Sequence, residues 1–329
     1  MTNSRVDNPG EHAAIRLLLG GTAVGKSDVA LRMAERCGVE IVSIDSMQVY
    51  RRMDIGTAKP TEAERARVRH HLIDLFEPWE SCTAARFVPL ADGAIAEIRG
   101  RGRIPLLVAG TPFYLMALLY GLFEGPSADP DFRAAMRERA AAEGSAALHA
   151  ELAAIDPAAA GKIHRNDLFR IARALEVHHR TGRPISDHQR QWGGPPRYAV
   201  RMVGLRRAPQ EHAHRINARV RAMFDAGWVD EVRGLIGGEG SAAPGLSTQA
   251  RQALGYSQIL RHLAGELTLE EAIEQTKINT RQFAKSQRTW FRRFPEATWI
   301  EVGADETADV TAQCAEEAFR KDDVVRGCR

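Results

Sequence analysis

The chain contains no run of 18 apolar residues, which excludes a membrane-spanning helix of ordinary length. Cysteine is sparse. Cys37, Cys82, Cys314 and Cys328 are scattered and form no C-x-x-C pair, so neither a disulfide framework nor a zinc site is expected. The segment Met1–Glu11 is polar, carries Pro9-Gly10 and lacks the apolar stretch of a signal peptide. It reads as part of a disordered leader over residues 1–12. Few thiols and no secretion signal point to the cytoplasm. There is no internal repeat and no coiled-coil seam, so a monomer is expected. The net charge of +3 is too small to argue for a polyanionic partner, and only its distribution could do so.

What is present suits a globular protein. With 329 residues, 44% of them hydrophobic, the chain can bury one large core and a smaller unit. Ile15–Leu19, Val39–Ile44 and Ile104–Val108 are short apolar runs of the kind buried on both faces of a parallel sheet. Helical patterns over Ser27–Cys37 and Ala84–Arg99 alternate with them, and His71–Leu75 suggests a further short strand. The alternation predicts a doubly wound α/β fold. From Gly121 the character changes: Pro126–Pro196 has no strand candidate. Asp129-Pro130 and Asp156-Pro157 read as helix starts, each an acidic cap before proline. Residues 121–196 are therefore expected to form a helical insertion in a core made of 13–120 and 197–302. In that second part, Val200–Leu205 returns to the sheet, Pro209–Ile236 is one long helix closed by Gly237-Gly238, and Gly240–Gly245 is a loop. Leu269–Phe294 is another helix and Thr298–Val302 a last strand. Residues 303–329 read as a peripheral tail.

Three features carry chemistry. Gly20-Gly21-Thr22-Ala23-Val24-Gly25-Lys26-Ser27 fits G-x-x-x-x-G-K-[ST] between a strand and a helix, the context of a P-loop. Its backbone amides and the helix N-terminus suit a polyphosphate, Lys26 adds a charge, and Ser27 can reach Mg2+. In a doubly wound sheet, ligands gather beyond the carboxyl ends of the strands. Asp45-Ser46-Met47-Gln48 follows one strand there and Gly110-Thr111 another. Asp45 could be a metal ligand, a general base or only a cap. Third, Lys277, Arg281, Lys285, Arg288 and Arg292 share one helix face, with no acidic residue from Lys277 to Arg293. Ile278, Phe283, Trp290 and Phe294 read as anchors on the other face. An unmixed basic stripe suits a polyanion. Further arginines, including Arg170 and Arg173, lie in the insertion. Three readings follow: an enzyme acting on nucleic acid, a P-loop kinase with arginine clamps, or an RNA-binding protein with a regulatory nucleotide site.

Several segments resemble the tRNA dimethylallyltransferase family. They are GGTAVGKS at Gly20–Ser27, DSMQVYRRMDIGTAKP at Asp45–Pro60, VAGTPFY at Val108–Tyr114, the SADPDFR run ending at Arg133, RIARALEV at Arg170–Val177, QALGY at Gln252–Tyr256 and TRQFAKSQRTWFRR at Thr280–Arg293. The second is far more specific than a phosphate loop. The resemblance implies that the turn holds the diphosphate of dimethylallyl diphosphate, with Lys26, Ser27-bound Mg2+ and Arg219 neutralising charge. It implies that Asp45 accepts a proton from an adenine amine in the anticodon stem-loop of tRNA, that Thr111 acts beside the reacting centre, and that Ser46, Met47 and Gln48 line the base pocket. It places further tRNA contacts at Arg133, at Phe169, Arg170, Ile171, Ala172 and Arg173, and at Gln252, Ala253, Leu254, Gly255, Tyr256 and Ser257. Arg281, Lys285 and Arg288 join them from the basic stripe. The chain departs from the family at Gly21 (usually proline), Val24 (usually serine), Ala109 (usually glycine), Leu168-Phe169 (usually Pro-Gln) and Ser257 (commonly basic). A phenylalanine cannot make a glutamine's hydrogen bonds but can stack on a base. The absence of a C2H2 zinc-finger pattern suits a bacterial type.

Overall fold

The computed structural model describes residues 14–123, 125–188, 191–236 and 245–324. The leader, Gly237-Gly238 and most of the expected loop before Gly245 lie outside them. Six strands form one sheet: β1 (Ile15–Gly20), β2 (Val39–Ile44), β3 (His70–His71), β4 (Ile104–Ala109), β5 (Val200–Arg206) and β6 (Thr298–Glu301). Their order is β3-β2-β4-β1-β5-β6, and every neighbouring pair is parallel. β2 is buried throughout and β1 nearly so, which is why their sequences are apolar without alternation.

The helices are, in order, α1 (Lys26–Cys37), α2 (Glu62–Arg67), α3 (Ala84–Gly100), α4 (Pro112–Tyr120), α5 (Pro130–Glu143), α6 (Ser145–Ile155), α7 (Pro157–Ala160), α8 (Leu168–Thr181), α9 (Ile185–His188), α10 (Pro209–Asp225), α11 (Trp228–Ile236), α12 (Thr248–Arg251), α13 (Tyr256–Leu263), α14 (Leu269–Phe291) and α15 (Ala308–Val324). Among the described residues no helix is long and apolar enough to cross a membrane.

The chain divides into two compact units. Residues Tyr120–Arg197 form the smaller, all helical apart from loops, around Leu148, Leu152, Ile171, Leu175 and Val177. Asp129 caps α5 and Asp156 caps α7, each through its carboxylate and each followed by proline. The larger unit holds the sheet.

Three expectations are corrected. The segment Pro209–Ile236 is two helices, because Gly227 has φ +96° and cannot continue a right-handed helix. The strand expected over His71–Leu75 is only the pair His70–His71, since Leu72 and Asp74 take positive φ and turn the chain away. The tail is not peripheral. Its helix α15 packs on α1, and Ala312, Ala315 and Phe319 are buried in the same apolar cluster as Leu18, Val29, Met33 and Val203.

Candidate functional site

The strand order sets the tips of β2, β4 and β1 side by side, and the chemistry-bearing residues stand there. The turn after β1 enters α1 through Gly25, whose φ of +109° only glycine adopts readily. Lys26 is buried, and its ammonium donates to the carbonyls of Gly20 and Gly21, both at 2.8 Å. Burial first, then repulsion from Arg219, pushes Lys26 down to about 7 from 10.5, while Asp45 pulls the other way. Arg219 on α10 is also lowered by burial, against attraction from Asp28 and Asp45.

Asp45 plays the cap role that the sequence left open to it, through one of its two oxygens. Its Oδ1 accepts the amides of Met47 (2.8 Å) and Gln48 (3.2 Å), as a cap does. Its Oδ2 lies against Gly110, where a β-carbon would come within 2.5 Å. Thr111 turns to the same tip. Its Oγ1 accepts the Ser46 amide at 3.0 Å and donates to Ser46 Oγ at 3.2 Å. Gln48 is held at both ends: Oε1 accepts from Ser43 Oγ (2.7 Å), and Nε2 donates to the carbonyls of Thr57 (3.1 Å) and Ala58 (3.3 Å).

A cleft of about 610 Å³ opens over these groups. Thr22, Ala23, Gly25, Lys26, Ser27, Asp45, Gln48, Gly110 and Arg219 all line it, so the phosphate turn, the carboxylate and the arginine meet in one space. Leu31, Ile41, Val108 and Phe283 give it an apolar part. Gly20, Gly21, Val24, Ser46, Met47 and Thr111 lie outside the lining, and Val24 is buried beneath it.

Four residues that the sequence did not single out hold this arrangement. Gln287 on α14 is buried and bridges Thr22 and Gly110. His212 Nε2 contacts the Thr22 carbonyl at 2.7 Å. A carbonyl only accepts, so Nε2 carries the proton and Nδ1 is left to accept from Arg288 at 3.5 Å. Lys59, with its side chain 1% exposed, donates to the Tyr50 carbonyl, Asp54 and Asp74, pinning the loop after Gln48. Glu231 on α11 accepts the amides of Asp54 (2.9 Å) and Ile55 (2.6 Å) and the Tyr256 hydroxyl (2.6 Å). One signal was readable: Ala284, Gln287 and Phe291 are spaced three and four apart, the buried face of α14.

The remaining expected contacts divide by exposure. On α14, Lys285 is exposed, Arg281 bonds Asn217 of α10, and Lys277 pairs with Glu274. Of the four expected anchors, Phe294 is buried and Trp290 half-buried, but the other two are not. Ile278 and Phe283 are exposed, because Ala272, Ile273, Thr276, Ala284, Gln287 and Phe291 take the buried face. In the smaller unit, Phe169 is 73% exposed and Arg170 is exposed, whereas Ile171 and Ala172 are buried in its core. Arg133 and Arg173 both bond the carboxylate of Glu176, whose side chain is wholly buried. Around QALGY, Gln252 is exposed and Leu254 and Ser257 are half-buried, but Ala253, Gly255 and Tyr256 are buried. Gly255 has φ +83°, and a β-carbon there would come within 1.8 Å of the Trp228 ring.

The family model described as IPP transferase matches residues 48–294. The chain belongs to this family. A second model, isopentenyl transferase, matches residues 13–75 and so takes in the phosphate turn and Asp45. Relatives named tRNA dimethylallyltransferase are similar over most of their length. That of Anaeromyxobacter dehalogenans is 46% identical, covering 86% of this chain and 93% of its own. That of Geobacter sulfurreducens is 45% identical, covering 90% and 94%. The crystal structure of the full-length tRNA isopentenylpyrophosphate transferase from Bacillus halodurans is 37% identical with a TM-score of 0.67, covering 96% of this chain and 99% of its own. A eukaryotic dimethylallyltransferase acting on tRNA is 25% identical with a TM-score of 0.73, covering 95% and 79%. The IPP transferase family accounts for the P-loop-type sheet and for the long segment after Asp45 that a kinase reading leaves unused.

Proposed function

We propose that the protein transfers a dimethylallyl group from dimethylallyl diphosphate to the exocyclic amine of the adenine immediately 3′ of the anticodon in tRNA, releasing diphosphate. The observation that carries this reading is the single cleft shared by Lys26, Arg219 and Asp45. In this reading the amine nitrogen attacks the allylic carbon. The carbon–oxygen bond breaks, diphosphate leaves with the electron pair, and the amine proton passes to Asp45. An aryl amine is a weak nucleophile, so a placed carboxylate base serves the step. Lys26, Arg219 and the N-terminus of α1 stabilise the charge on the departing diphosphate. The apolar part of the cleft, with Leu31, Ile41, Val108 and Phe283, suits the prenyl chain.

The site also fits a divalent cation. Ser27 and Asp28 present oxygen donors on the cleft wall, the ligand type of a hard ion such as Mg2+. Ser27 would hold such an ion, with Asp28 beside it on the same wall. Bound there, the ion would supply further charge neutralisation for the leaving group.

For tRNA, the basic residues of α14, with Lys285 exposed and Arg281 and Arg288 half-buried, suit the backbone, and the exposed Phe169 offers a ring on which a base can stack. Arg133 and Arg173, already fixed by Glu176, suit phosphate contacts without further ordering. Extrusion of the target adenine costs a few kcal/mol of stacking, which such contacts offset. A tRNA substrate is consistent with action in the cytoplasm. The test is mass spectrometry of tRNA nucleosides after incubation with the protein, Mg2+ and dimethylallyl diphosphate. The expected product is adenosine heavier by one dimethylallyl group. Unmodified adenosine, or turnover only with ATP, would overturn the reading.

A further inference from the structure

The phosphate turn and the Asp45–Thr111 tip belong to different strands, and prenyl transfer needs them at a fixed separation. Neither β1 nor β4 sets that separation by itself, since each ends in a loop just where the chemistry begins. One side chain spans the two loops. Gln287 stands on the buried face of α14, 1% exposed, far in sequence from both. Its Oε1 accepts the Thr22 amide at 2.8 Å, and its Nε2 donates to the Gly110 carbonyl at 2.6 Å. Gly110 in turn lies against Asp45 Oδ2 and precedes Thr111.

The chemistry of the bridge demands a carboxamide. One loop presents a donor and the other an acceptor, and a neutral amide answers both at once. A carboxylate would face the Gly110 carbonyl with no proton to give. An alkyl chain of the same length would leave a buried amide and a buried carbonyl unpaired. The Thr22 amide is also committed to Gln287, so it belongs to the brace of the turn rather than to the cradle. The Thr22 carbonyl is held from the other side by His212.

We propose that Gln287 is a positioning residue for prenyl transfer, setting the distance between the phosphate turn and the Asp45–Thr111 pair. Its side chain also lines the cleft, but both of its amide atoms are committed to Thr22 and Gly110, and it acts through them. The proposal rests on the prenyl-transfer reading. A misplacement of about 1 Å between reacting groups can cost about a hundredfold in rate, so the effect belongs in kcat.

The test is steady-state prenyl transfer by wild type, Gln287→Glu and Gln287→Asn, with folding checked by thermal melting. For Gln287→Glu, kcat should fall about a hundredfold at neutral pH while KM for tRNA stays within about twofold. Its kcat relative to wild type should recover as pH falls, because a protonated carboxyl again offers one donor and one acceptor. A merely structural residue would not give that pH profile. Gln287→Asn keeps the amide but is one methylene short, so it reaches one partner only. It should lose kcat at every pH, and it decides the matter if Gln287→Glu does not fold. Wild-type kcat in a folded variant, or a loss confined to KM for tRNA, would overturn the proposal. A wild-type protein that transfers no prenyl group would instead overturn the reading beneath it.

Discussion

The backbone of Gly110 passes so close to the carboxylate of Asp45 that a β-carbon added to the glycine would stand 2.5 Å from Oδ2. The tip of β4 is thus a wall of the Asp45 site. Gly110→Ala should push the carboxylate off its line without touching the basic face of α14. We expect kcat to fall about a hundredfold with KM for tRNA little changed, as steady-state kinetics would reveal. Asp45→Ala and Lys26→Ala should abolish turnover, and wild-type rates in both would count decisively against this site.

Lys26 gives the reaction a pH dependence. With its ammonium near 7 in the free protein, the cation is lost as pH rises above that value. Diphosphate binds the charged form, so KM for dimethylallyl diphosphate should climb above pH 7, by at most about tenfold per pH unit. Stability runs the opposite way. The folded value lies below 10.5, so the folded protein holds fewer protons between the two. The cost of burying the ammonium is full below about 7 and is relieved as pH rises toward 10.5. KM flat from pH 6 to 9 would rule out a role for this titration.

Gly255 carries a purely structural prediction. Gly255→Ala would drive a methyl group into Trp228 and force a left-handed φ on alanine. Overpacking and strain together should cost about 2–4 kcal/mol, read as a lowered denaturation midpoint. Because Trp228 opens the helix that carries Glu231, the damage should also loosen the loop from Asp54 to Gly56.

Salt titration probes the basic face of α14. Arg281→Ala combined with Arg288→Ala should weaken tRNA binding and lower the slope of log K against log salt by about 2. Affinity for dimethylallyl diphosphate should hold. An unchanged slope would mean that this face meets something other than RNA.

The smaller unit depends on Glu176. Arginine hydrogen bonds and the Asp129 amide, working against burial, hold its carboxyl at about 2, below the ordinary 4.5. A carboxylate lowered in this way stabilises the fold fully above pH 4.5, and the contribution disappears as pH falls through about 2. Glu176→Gln leaves Arg133 and Arg173 without their counter-charge and should cost about 3–5 kcal/mol. Calorimetry would register this as early melting of the unit at neutral pH.

Most of the sheet was legible because strands buried on both faces leave continuous apolar runs, and the phosphate turn and Asp45 follow directly from where those runs stop. His212, Lys59 and Glu231 were not legible, and of Gln287 only its place on the buried face of α14 was. Each is polar, and nothing in local sequence says whether a polar side chain meets water or a buried amide far along the chain. The error at Ile278 and Phe283 has the same root. Hydrophobic character alone placed them inward, while the tertiary neighbours of α14 selected the face of Ala284, Gln287 and Phe291 instead. Gly227 was readable as a breaker, yet the amphipathic pattern on both sides of it suggested one continuous helix.

The placement of Phe319 beside Leu18 has a consequence for biosynthesis. β1 and α1 leave the ribosome long before the helix that covers their shared apolar flank. Until residues 308–319 emerge, that flank is open to other chains in the cell. A message cut short before codon 308 would therefore yield a polypeptide that contains the whole phosphate turn and yet leaves the apolar flank of Leu18, Val29 and Met33 uncovered.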